Sequence, residues 1–201
     1  MRTRTTRYTV LMPTLLALGI GIAGVATAQD LHPSRRPSPM GMARITVDDT
    51  YMRVVYSRPY KRDRENIFGT EDSGALVPFG KIWRTGANEA TELTVTGDVM
   101  VGGEKLPAGT YSVFTIPGAD SWTVHFNSAL GLSGTGRFVD GKFTPVDIPA
   151  SDVVVATAAA GKLEEEVDQF TIVWKGMDGG ADMCLQWIMT EVCVPFEVTA
   201  D

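Results

Sequence analysis

The sequence predicts an all-β domain, an antiparallel β-sandwich or jelly-roll-like barrel, and three observations carry that expectation. From Arg44 onward apolar and polar residues alternate with a period of two, as in "TYMRVVY" and "SWTVHFN". These segments are short and punctuated by Gly, Pro, Asn and Asp at the spacing of roughly 8–12 residues usual in sandwiches and barrels. No stretch carries an apolar stripe of helical period and useful length, apart from one turn expected near Asn88 or Leu163.

The N-terminus has a different character. Arg2, Arg4 and Arg7 precede the apolar run "VLMPTLLALGIGIAGVA", which ends in Ala26-Thr27-Ala28. A basic start, an apolar middle and small residues two apart describe a secretory signal peptide, residues 1–28, cleaved after Ala28. Pro13 and the glycines argue against an uncleaved spanning helix, which needs roughly 20 apolar residues. The expected address is the periplasm or the cell exterior. Residues 29–43, "QDLHPSRRPSPMGMA", carry Pro33, Pro37 and Pro39 and little apolar pattern, so they read as a flexible leader. The β-domain is expected over 44–199.

Within it, "ARITV" and "TYMRVVY" flank "DDT" as a hairpin. Residues 57–80 break the rhythm and exceed ordinary loop length, yet hold Ile67, Phe68, Leu76, Val77 and Phe79. An ordered, functional loop is the expectation. "TELTVTG", "DVMVGG", "GTYSVFTIPG" and "SWTVHFN" follow as strands. In the last, Trp122, Val124 and Phe126 share the core face, and Thr123, His125 and Asn127 face solvent or a groove. Asp140-Gly141 sits between strand-like arms in "GRFVDGKFTPV", a strong hairpin cue. "DVVVATAAA", "DQFTIVWKG", "DMCLQWI" and "VCVPFEV" complete the set.

Cys184 and Cys193 are the only cysteines. If Ile188-Met189 turns a hairpin, Cys184 stands directly opposite Cys193 and a disulfide forms; a slip of one residue puts the sulfurs on opposite faces. The turn lacks the Gly or Asn that such hairpins favour. Export would place the pair in an oxidising compartment.

Charge excludes whole classes of partner. The full chain has 18 Lys+Arg, 24 Asp+Glu and a formal charge of −6, and loss of residues 1–28 removes three further positive charges. Nucleic-acid backbones and anionic membranes are disfavoured partners. A monomer that meets a small molecule or an envelope component is expected.

Reactive chemistry has few places to reside. His125 is the one histidine beyond His32, which removes multi-histidine metal sites. No metal site and no cofactor are expected. The acidic runs "LEEEVDQ" and "MDGGADM" lack the alternation of a calcium loop. Arg58, Lys61, Arg62 and Arg64 crowd one segment, either to focus an anion or as a solvated loop paired with acids. In "GKIWRTGANEAT", Trp83, Arg84, Asn88 and Glu89 gather around glycines. That stretch reads as a rigid corner held by an Arg84–Glu89 pair, or as converging polar groups beside an aromatic platform.

The motifs "YSRP", "IFG", "LVPFGKIWRTGANEAT", "LPAGTYSVFTIPG" and "WTVHFN", in that order, resemble the bacterial secreted family catalogued as domain of unknown function 2911. The resemblance runs from about Arg44 to Phe196 and implies no settled activity. Its signature falls on Arg58, Arg64, Phe68, Trp83, Arg84, Asn88, Glu89, Tyr111 and Asn127, and leaves out the cysteines. The ligand site is therefore expected between loop 57–80 and the Trp83–Glu89 corner, built from Arg58, Arg64, Trp83, Arg84, Asn88 and Glu89. The alternatives are a hydrolase or isomerase with Glu89 or His125 as base, and a structural envelope protein without a ligand.

Overall fold

In the computed structural model, residue 32 and residues 35–199 are described; the signal peptide expected at 1–28 lies outside them. Alternation becomes strand where it was expected. Strand β1 (Met40–Val47) pairs antiparallel with β2 (Thr50–Ser57) across the Asp48-Asp49 turn. Strands β5 (Thr91–Val95), β8 (Gly109–Ile116) and β9 (Ser121–Asn127) continue the same sheet. Gly102 and Gly103, both at positive φ, join the short β6 (Val99–Val101) and β7 (Glu104–Leu106). Asp140 and Gly141 turn β10 (Gly136–Val139) into β11 (Lys142–Pro145) with φ of 49° and 75°. Positive φ at both positions is what a type I′ turn demands.

Two long strands complete the architecture. "DVVVATAAA" and "DQFTIVWKG" prove to be one strand, β12 (Asp152–Met177), which runs straight through the acidic stretch. Its first part, Asp152–Ala159, pairs with β9, and its remainder, from Ala160, pairs with β13 (Gly180–Val198). The ladder shifts register between Lys162 and Thr171, where the Glu164–Glu166 run lies exposed. Alternation is lost there, which is why the sequence reads as a break.

β13 folds back on itself. The Cα atoms of Cys184 and Cys193 are 4.0 Å apart, whereas nine residues of extended chain span roughly 30 Å. The amide of Val198 donates to the Gly179 carbonyl at 2.9 Å, and Gln186 reaches Glu191 at 2.7 Å. Both pairings match a reversal at Ile188-Met189, and Ile188 takes φ 51° to make it. The Cys184–Cys193 disulfide forms in the expected register.

The order β1-β2-β5-β8-β9-β12-β13-β6-β7 is open, with β1 and β7 at its ends, so the barrel alternative gives way to a sandwich-like fold. The core lies between the layers. Phe126 of one meets Phe196 of the other with ring centroids 5.5 Å apart, and Tyr56 meets Phe170 at 5.7 Å. The Tyr56 hydroxyl accepts from the Ile172 amide at 2.8 Å and donates to its carbonyl at 3.3 Å. Burial pushes that phenol above its ordinary pKa. Burying each large apolar side chain stabilises by about 1.5–3 kcal/mol.

Three expectations change. The leader ends sooner than 43, because Met40–Ala43 already belong to β1. Neither Asn88 nor Leu163 is helical: Asn88 sits at φ 57° and Leu163 lies in β12. The His125 face of β9 is buried as well, since the 128–151 excursion covers it. Phe114 packs there in a second apolar cluster with Ala90, Leu132 and Ile148. The long loop is ordered as expected: β3 (Phe68–Gly69) and β4 (Val77–Pro78) pair in parallel, Ile67 and Val77 are buried, and Leu76 is exposed.

Candidate functional site

The corner begins where the chain runs alongside β8. Trp83 and Thr115 exchange both backbone hydrogen bonds, at 2.7 and 2.9 Å. Alternation then sends the Trp83 ring into the main core and Ile82 into the second cluster. The indole stacks on Trp187 with centroids 6.0 Å apart and planes 16° apart. It meets Phe170 edge-on at 5.2 Å and Phe68 at 5.9 Å, and its N–H donates to the Gly86 carbonyl at 3.0 Å.

After Trp83 the chain turns back through Thr85 (φ 54°), Gly86 (φ 149°) and Asn88 (φ 57°). A Cβ at Gly86 would stand 2.7 Å from the Ser57 carbonyl oxygen, so backbone contact excludes any larger residue. The Asn88 side chain donates to the Ser38 carbonyl and to Ser57 Oγ, each at 3.1 Å. The Thr91 hydroxyl donates to the Thr85 carbonyl at 2.5 Å. The rigid-corner reading describes this local structure well.

The ion pair expected to hold the corner does not form. Glu89 is exposed and takes Arg36 in a forked contact of 2.6 and 2.8 Å. Residues 35–39 thereby form a strap across the corner. Asn88 holds the Ser38 carbonyl, Arg62 donates to the Pro37 carbonyl at 3.1 Å, and the Arg58 amide donates to the Pro39 carbonyl at 2.8 Å. Among the described residues, Arg84 is left without a hydrogen bond to its buried Nε. Its Nη1 lies against Gly134, 3.3 Å from where a Cβ would stand. Burial pulls the Arg84 guanidinium below the ordinary arginine value, and the nearby Glu89 charge opposes the shift.

Arg64, Trp83 and Arg84 come together at one cavity of about 250 Å³. Pro59, Leu76 and Val77 of the long loop form one wall, Gly86 and Ala87 another, and Trp187 and Ser38 complete it. Arg64 uses one donor on the Tyr60 carbonyl at 3.1 Å. Arg58 stands elsewhere: its guanidinium ties β2 to β12 through the Phe170 carbonyl (3.2 Å) and Thr171 Oγ1 (2.8 Å). Asn88 and Glu89 face the strap. Of the four crowded cations, Lys61 pairs with an acid, Glu166, at 2.9 Å, whereas Arg58, Arg62 and Arg64 bond to backbone carbonyls or a hydroxyl, so pairing with acids describes Lys61 alone among the described residues.

His125 is buried, 6% exposed, with Nδ1 2.7 Å from Asp152 Oδ2. Asn127 donates to the other oxygen of Asp152 at 2.8 Å and to the Ile148 carbonyl at 2.6 Å, and accepts from the Ala129 amide. Ser112 donates to the Ala129 carbonyl. This polar row anchors the 128–151 excursion to the sheet. No hydrogen bond or ion pair among the described residues joins His125 or Glu89 to Arg84 or Asn88. The sequence offered no signal for Asp152 as the partner of His125, or for Arg36 as the partner of Glu89.

The family model described as "Protein of unknown function (DUF2911)" matches residues 38–196. The chain belongs to that family. In this DUF2911 protein the match takes in Ser38 and stops short of Arg36, so the cavity lies wholly within the family domain and the Arg36 latch outside it. No curated protein and no solved structure matches the chain.

Proposed function

We propose that this DUF2911 protein is exported and binds a small anionic ligand with a flat or ring-shaped apolar part, in the cavity between loop 57–80 and the Trp83 corner. One observation carries the reading: a single cavity is lined by Trp83, Trp187, Arg64 and Arg84, and the buried Arg84 Nε has no partner among the described residues. A buried donor without an acceptor is costly, and an incoming carboxylate or sulfate ester would relieve that cost. The indole edges would take the apolar part, and Arg64, on the long loop, would add a second cation. The basic, apolar and small-residue sequence of 1–28 supports export.

The test is a thermal-shift and calorimetric screen of aryl carboxylates and sulfated sugars, with Arg84→Ala as control. A charge-assisted hydrogen bond contributes about 1.5–3 kcal/mol. The variant should therefore bind its best anion at least roughly tenfold more weakly. Equal affinity in both proteins, or no anion that shifts the melt, would leave the corner purely structural.

A further inference from the structure

We infer that a second ligand site lies at the tip of the β13 reversal, a groove of about 360 Å³ that takes an aryl carboxylate. Its floor is aromatic: Phe68, Phe79 and Trp122, with Phe68 and Trp122 in edge contact at 4.8 Å. Its rim includes the Ile188-Met189 reversal and, on β12, Lys162. The frame is backbone-bonded on each side. Ala160 donates to the Asp120 carbonyl at 2.9 Å, Gly80 donates to the Pro117 carbonyl at 2.8 Å, and Lys162 is the ladder partner of Thr190.

Two features define the groove. Ile188 holds φ 51° because it makes the β13 reversal, and that hairpin, closed by the Cys184–Cys193 disulfide, fixes the rim. Lys162 is the one charged residue of the lining. Its side chain is exposed and makes no ion pair or hydrogen bond among the described residues. The neighbouring acid Glu191 is engaged by Lys175 at 2.6 Å and by Gln186. Aromatic walls with a lone free ammonium at the edge complement a flat apolar body that ends in a carboxylate. The ring would lie on Phe68 and Phe79, and the carboxylate would face Lys162.

This site is separate from the Arg84 cavity and shares no lining residue with it, although packed rings connect the two. Phe68 also packs edge-on against Trp187 at 5.8 Å and against Trp83, both of which line the first cavity. Binding in the groove should therefore change tryptophan emission.

The probe is 2-naphthoate, followed by tryptophan fluorescence and calorimetry on the whole protein. Neutral 2-naphthamide is the charge control. Saturable binding is expected, weakened about two- to fivefold by Lys162→Ala, as befits an exposed charge pair, and weaker for the amide by a similar factor. Ala119→Trp fills the groove from an exposed position and should abolish binding without lowering the melt. These measurements are made in the Arg84→Ala background, which disables the first cavity, and saturable binding should persist there. Naphthoate binding that survives Ala119→Trp in that background, or that is lost in Arg84→Ala alone, overturns the inference. So does an amide that binds equally well, or no saturable binding up to the solubility of the probe.

Discussion

Replacing Trp83 by alanine separates a core knot from a surface platform. The ring touches Phe68, Trp122, Phe170 and Trp187 at centroid distances of 5.2 to 6.2 Å, and its N–H is hydrogen-bonded. Removing a Trp from such packing costs about 3–5 kcal/mol through lost transfer energy and the cavity left behind. Loss of the Gly86 contact lies within that figure, at about 1 kcal/mol. Urea unfolding monitored by far-UV circular dichroism is the assay. With m in the usual range of about 1–3 kcal/mol/M, the midpoint should fall by more than about 1 M at constant m. Trp83→Phe, which keeps an apolar ring, should lose less than half as much. A loss below about 1 kcal/mol for the alanine variant would mean that the ring contributes little to the core. The indole would then be a free platform for ligands and the corner would owe its stiffness to something else.

Three further outcomes follow from the geometry. Cys184→Ser with Cys193→Ser opens a loop closed by a sequence separation of 9, and the melt should report a loss of about 2–3 kcal/mol; an unchanged melt under oxidising conditions would contradict it. Arg36→Ala should cost less than about 1 kcal/mol because Glu89 is exposed, yet hydrogen exchange at Ser38 and Met40 should quicken; unchanged exchange would mean the strap is held by its backbone contacts alone. Glu191 is held below its ordinary pKa by hydrogen bonds from Lys175 and then Gln186. A depressed carboxylate contributes stability above its unfolded value, here 4.5, and loses it as pH falls through the folded value. Glu191→Gln should therefore flatten the acid limb of the stability curve below about pH 4.5, read by urea midpoints from pH 5 downward.

Much of the fold was legible because alternation reports directly on a sheet with one apolar and one polar face. The Asp48-Asp49 and Asp140-Gly141 turns, the core face of Trp122 to Phe126, and the opposition of Cys184 and Cys193 all follow from period and turn chemistry. β12 was not legible as one strand, because its Glu164–Glu166 stretch lies at a register shift where the pattern reports nothing. His125 misled for a different reason. Its face carries Ser112, Asn127 and Asp152, polar groups satisfied by one another and by the 128–151 backbone, so a polar pattern there signals a covered anchor as readily as it signals solvent. At the site, the sequence located the loop and the corner that meet, but gave the wrong partner for Glu89. Arg36 lies 53 residues away in a proline-rich stretch with no pattern of its own, and only folding reveals that contact.

β12 crosses from one layer to the other without a break, its first eight residues bonded to β9 and the rest to β13. The two halves of the sandwich are thus a single woven ribbon. They cannot slide past each other as hinged plates do, because any such shear would tear hydrogen bonds on one flank of a shared thread. The segments outside that ribbon, the strap at 35–39 and the loop at 57–80, are the ones free of this constraint.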